Sequence, residues 1–95
     1  MLTSKQRATL RGKAHHLSAI FHVGKEGVTP PFIKGVREAL EARELIKIDV
    51  LDNCELDARQ AAEIVSGRSG SEIVQVIGRK FVLYKKSKSK TEGIL

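Results

Sequence analysis

The chain has 95 residues, 41% of them apolar, and a formal net charge of +6, which gives one domain with one hydrophobic core and argues against wholesale disorder. Its longest apolar runs, LIKIDVL and EIVQVIG, are interrupted by polar residues and fall far short of the roughly 20 residues of a membrane span; the charged start MLTSKQRATLRGKAHHL lacks the apolar centre of an export signal, so a cytoplasmic protein without a membrane partner is expected. The lone Cys54 allows no internal disulfide and has no ligand-spaced companion for a zinc site.

Thr3 with Gln6 has the form of a capping box, and Leu10, Ala14 and Leu17 follow at helical spacing, so a first helix is expected over residues 3 to 16. Arg7, Arg11 and His15 stand four apart and form a basic stripe beside its apolar face. AIFHV is short, β-branched and aromatic and ends at Gly24, the pattern of a strand. Pro30 and Pro31 suit the first turn of a second helix, whose apolar face is Phe32, Ile33, Val36, Ala39 and Leu40, to about Glu44. LIKIDVL alternates as a strand with one buried face, and Asp52-Asn53 turns the chain. Asp57 with Gln60 caps a third helix with a small-residue face, Ala58, Ala61, Ala62 and Val65, expected to stop at Gly67. SEIVQVIGRKFVLYK reads as two strands in a tight hairpin about Gly78-Arg79.

The fold class is therefore α/β: one compact domain of order α-β-α-β-α-β-β with a small mixed four-stranded sheet packed with helices. The domain is expected over residues 1–85. The remainder, 86–95, has no hydrophobic period and is expected to be a basic, mobile tail.

Charge is segregated along the chain. Residues 1–25 carry five bases (Lys5, Arg7, Arg11, Lys13, Lys25) and no acid, residues 26–78 carry ten acids against six bases, and residues 79–95 carry six bases against Glu92 alone. If folding joins the two ends, one face becomes a positive patch suited to a polyanion. Between the first strand and the second helix, GKEG at 24–27 lets glycine backbone approach a phosphate while Lys25 supplies the cation; Glu26 places an acid in the same loop. A second GxxG, GRSG at 67–70, offers Arg68, although Gly67 already serves as a helix stop in this reading. Neither loop has Walker or dinucleotide spacing.

His15 and His16 point about 100° apart on a helix, and no paired metal-ligand spacing occurs with them or with His22, so no metal is expected. No recognised nucleophile motif is present either, so the chain reads as a non-enzyme without cofactor. Only four aromatic residues exist, Phe21, Phe32, Phe81 and Tyr84, and few rings remain to stack bases once the core is filled, so recognition should lean on phosphates and RNA shape.

In this order and spacing, LRGKAHHLSAIFHVGKEGVT, ALEARELIKIDVL and VQVIGRKFVLYK resemble the bacterial YhbY-like proteins of the CRM group (chloroplast RNA splicing and ribosome maturation), over about residues 3 to 85. The resemblance implies an RNA-binding domain similar to the C-terminal domain of bacterial translation initiation factor three, with Gly24, Lys25, Glu26 and Gly27 at the family's phosphate-contacting loop. It further implies a ribosome assembly factor whose partner is ribosomal RNA of large-subunit precursors; apart from the resemblance, a monomer is expected, with ribosomal proteins as further partners. Glu26 and the serine of GRSGSE depart from the pattern of relatives. On this reading Lys5, Arg7, Arg11, Lys13, Arg68, Arg79, Lys80 and Lys85 widen the site into a patch. The other readings are a general RNA chaperone and a protein-interaction module whose acidic middle docks a basic ribosomal protein.

Overall fold

A computed structural model describes residues 2–89 and 93–95, so Met1 and residues 90–92 of the expected tail lie outside the described residues. The elements follow the expected order: α1 (Ser4–Ala14), β1 (Ala19–Val23), α2 (Pro30–Arg43), β2 (Leu45–Val50), α3 (Ala58–Ser69), β3 (Glu72–Ile77) and β4 (Lys80–Tyr84). The strands lie in the order β1-β2-β4-β3, with β1 and β2 parallel and both β2·β4 and β3·β4 antiparallel.

Period-two alternation in β2 and β4 divides the core between the two faces of the sheet. Ile46, Ile48, Phe81 and Leu83 join Ile33, Val36 and Leu40 of α2 and the alanines of α3 in the larger cluster. Leu45, Val82 and Tyr84 face the other way, with Val74, and are covered by Leu10 and Ala14 of α1. Three layers result, one helix, the sheet, then two helices. Leu45 begins β2 and pairs with Tyr84 at the end of β4, so α1 sits over that end and leaves the opposite end of its sheet face uncovered.

Helix starts obey the expected chemistry. Thr3 and Asp57 each form a complete capping box with Gln6 and Gln60, and Thr29 accepts the Phe32 N–H ahead of two prolines in the first turn. Ends differ. α1 stops at Ala14, with His15 as its cap. α3 runs through Gly67 to Ser69 and ends at Gly70, which adopts a left-handed φ of 70°. Gly67 is exposed inside the last turn, whereas Gly70, of the two, occupies the position where a side chain would be strained, so the stop moves by three residues. The second GxxG is thus the end of a helix.

Candidate nucleic-acid interface

The loop after β1 is a tight turn. Gly27 donates its N–H to the Gly24 carbonyl at 2.9 Å and has a φ of 71°, a conformation that favours glycine. Lys25 and Glu26 are exposed at its tip, and neither side chain has a hydrogen-bond or ion-pair partner among the described residues.

Neighbouring strands end beside this loop. Leu51 donates to the Val23 carbonyl at 2.9 Å. Arg79, at the tip of the β3-β4 hairpin, ties that hairpin to the end of β2: its guanidinium donates to the carbonyls of Val50 (3.1 Å) and Leu51 (2.8 Å) and lies 3.2 Å from the Asp52 carboxylate. Much of its donor capacity is therefore engaged in structure. Lys80 and His22 approach opposite oxygens of Asp49, at 3.7 and 3.4 Å, across three adjacent strands on the face that α1 leaves open. Arg68 reaches the Val28 carbonyl, immediately after the glycine loop, at 3.4 Å, while Arg37 donates to the Arg68 carbonyl at 2.6 Å. Arg68 thus belongs with the first loop through space, a link that sequence separation hid.

The bases of α1 stand elsewhere. Lys5, Arg11 and Lys13 are exposed and Arg7 is half-buried, with its guanidinium bonded to the Ile73 carbonyl at the start of β3. They lie toward the Leu45/Tyr84 end of the sheet, and the loop lies toward the Val23/Val50 end. The open sheet surface carrying Lys47 and Lys80 separates the two groups.

The C-terminal basic run is held in a way that composition concealed. Lys85 donates its N–H to the Glu44 carbonyl at 3.0 Å, and its ammonium reaches the Ser69 carbonyl at the end of α3 at 3.4 Å. The fully buried Glu44 accepts the N–H groups of Ser87 (2.7 Å) and Ile94 (3.0 Å). Glu41 accepts from the Ser87 hydroxyl and from the N–H groups of Lys88 and Ser89, all at about 3 Å. The Lys88 backbone bond, followed by that from the Ser89 side chain, holds the Glu41 carboxyl down at about 2. Burial, and then the nearby Glu44 charge, push the Tyr84 hydroxyl above its ordinary value. Where the sequence led us to expect a mobile tail, its described residues are thus docked on the end of α2. The acidic spacing 41/44 was visible beforehand, but on a helix it reads equally as a solvated face.

Among the described residues no group of three or more His, Cys, Asp and Glu could hold a metal, and no helix is long and apolar enough to cross a membrane. Cys54 is free and half-buried.

These features define a compact α/β domain with three helices on a mixed sheet and a glycine loop leading from its first strand. A family model described as the CRS1 / YhbY (CRM) domain matches residues 2–85, and the chain belongs to that family. It is 58% identical over 88 residues to the Bacillus subtilis protein named "Probable RNA-binding protein YqeI", covering 93% of this chain and 92% of that one. A Haemophilus influenzae protein named "RNA-binding protein" is 31% identical over 86 residues, covering 90% and 87%. The solution structure of Staphylococcus aureus SAV1595 superposes with a TM-score of 0.79 at 45% identity, covering 96% of this chain and 95% of that one.

Proposed function

We propose that this protein binds RNA without catalysis and acts in the cytoplasm as a monomeric assembly factor on ribosomal RNA of large-subunit precursors. The observation that carries the RNA reading is the tip of the glycine loop: Lys25 is exposed, without a partner among the described residues, on a tight turn that lets backbone and cation meet a phosphate together. Gly24, Glu26 and Gly27 complete that contact, the start of α2 adds its dipole, and Arg68, Arg79 and Lys80 border it. Lys5, Arg7, Arg11 and Lys13, with Lys85, extend the positive surface for a longer strand. The names of the relatives support RNA as the polymer. The large-subunit role rests on the family resemblance.

Two measurements test this. Titration with RNA across salt should give a slope of log K against log salt of about −3.5, as for roughly five neutralised phosphates on a single strand; an affinity independent of salt overturns the phosphate reading. Sedimentation of a source-cell lysate at low magnesium should place the protein with immature large subunits and release it with moderate salt. Its absence from all ribosomal fractions overturns the assembly role alone.

A further inference from the structure

The geometry points to a second RNA-binding site, a groove along the outer edge of β3 in which Arg7 and Arg59 receive the phosphates of a single strand. This deepens the RNA reading above and rests on it. The groove runs between α1 and α3, is lined by Arg7, Arg59, Ser66, Ser71 and the strand from Glu72 to Val76, and has a volume of about 470 Å3, within the usual range of ligand clefts, about 300–1,000 Å3.

Its two arginines stand differently. Arg7 is half-buried and fixed by its bond to the Ile73 carbonyl, which leaves further N–H donors of its five-donor fork for a ligand. Arg59 is exposed on α3 with no hydrogen-bond or ion-pair partner among the described residues. The hydroxyls of Ser66 and Ser71 add neutral donors, and the arginines outnumber the single acid, Glu72.

The competing occupant of a sheet edge is an added peptide strand. β3 is an outermost strand, yet the Ile73 carbonyl, an acceptor that an added strand would use, is already taken by Arg7. That bond obstructs ladder extension and does not obstruct a polymer recognised through phosphates. Arg59 carries no site signal of its own, because it lies on the chain's acidic middle section.

The test is a titration of the full chain with a labelled 12-nucleotide single-stranded RNA in about 0.1 M salt, where charges more than about 10 Å apart are largely screened. Arg59→Glu should weaken binding about fivefold and reduce the magnitude of the salt slope by about 0.7, Arg59→Lys should restore most of the affinity, and Arg43→Glu, outside the groove, should stay within twofold of the parent. Both variants at position 59, which is exposed, should stay folded with a thermal midpoint near the parent's, and Arg43→Glu should stay folded although it places an acid in the last turn of α2. Binding by Arg59→Glu equal to the parent overturns the groove while leaving the glycine-loop reading intact. Equal weakening by Arg43→Glu also overturns it, as a general charge effect. Failure of the unmodified protein to bind RNA overturns both readings.

Discussion

Two lysine-bearing segments of this molecule have opposite relations to the rest of the fold. The glycine loop at 24–27 closes on itself through one backbone bond and presents Lys25 with no partner among the described residues. The segment after β4 is the more basic, with four lysines against Glu92, yet its backbone N–H groups end on Glu41 of α2 and on Glu44, the cap of that helix, and Lys85 caps α3. Charge alone does not say which segment is free to bind, and by itself it favours the later one, since Glu26 balances Lys25. What does is where the donors go: the later segment has its backbone tied down and the Lys85 ammonium engaged at the end of α3, where it has less to offer a phosphate.

The contrast breaks most completely at Glu44. Glu44→Ala should cost about 2–3 kcal/mol in urea unfolding, since two charge-assisted hydrogen bonds to a buried carboxylate are lost. Glu44→Gly should cost about 1 kcal/mol less than alanine, because Glu44 has a φ of 67° that glycine adopts without strain. Equal losses in the two variants would mean that the backbone conformation stores no strain.

Acid should release the same segment by a different route. The Glu41 carboxyl is depressed from 4.5 to about 2, so its contribution is present in full above about 4.5 and is lost as pH falls toward 2. Protection of the Lys88 and Ser89 amides, taken as the exchange rate relative to the intrinsic rate at each pH, should be high at pH 5 and fall across that window, and in Glu41→Gln it should be low throughout. Protection already lost by pH 4 would contradict the carboxylate bonds.

RNA affinity sharpens the comparison on the functional side. Lys25→Glu should weaken binding roughly tenfold, with a smaller salt slope, whereas Lys88→Glu should change it less than twofold. A reversal of that order would make the docked segment the principal contact. The smallest effect belongs to Ser87→Ala, about 0.5–1 kcal/mol, since the hydroxyl bond to Glu41 and the longer contacts with Ser89 are removed while the backbone bonds to both glutamates remain; a measurement of zero would show that water replaces it.

Element order, the mixed sheet with its final hairpin and most core residues were legible because period-two and period-3.6 patterns, capping residues and paired prolines all agree in this chain; the pairing of β2 with β4 and the exposure of Leu17 were not. The end of α3 was misread because two glycines three apart both fit a helix stop, and only the backbone shows that Gly70 takes the left-handed position. The loop at 24–27 was legible as a turn with an exposed lysine. Arg79's role in tying the hairpin to β2 was not, since its partners are backbone carbonyls 28 and 29 residues away that carry no mark in the sequence. The clamp of Glu41 and Glu44 escaped for the same reason, with its partners more than 40 residues on.

Glu44 combines a backbone shape that suits glycine with a side chain whose partners lie in the last residues of the chain. The best residue at position 44 therefore depends on whether those residues are present. In a chain cut after position 85, glycine should win a selection for stability; in the full chain, glutamate should. Substitutions at 44 and changes to the C-terminal segment are thus expected to show sign epistasis, and a homologue's tail grafted onto this domain should bring with it a requirement for the residue that tail was inherited with.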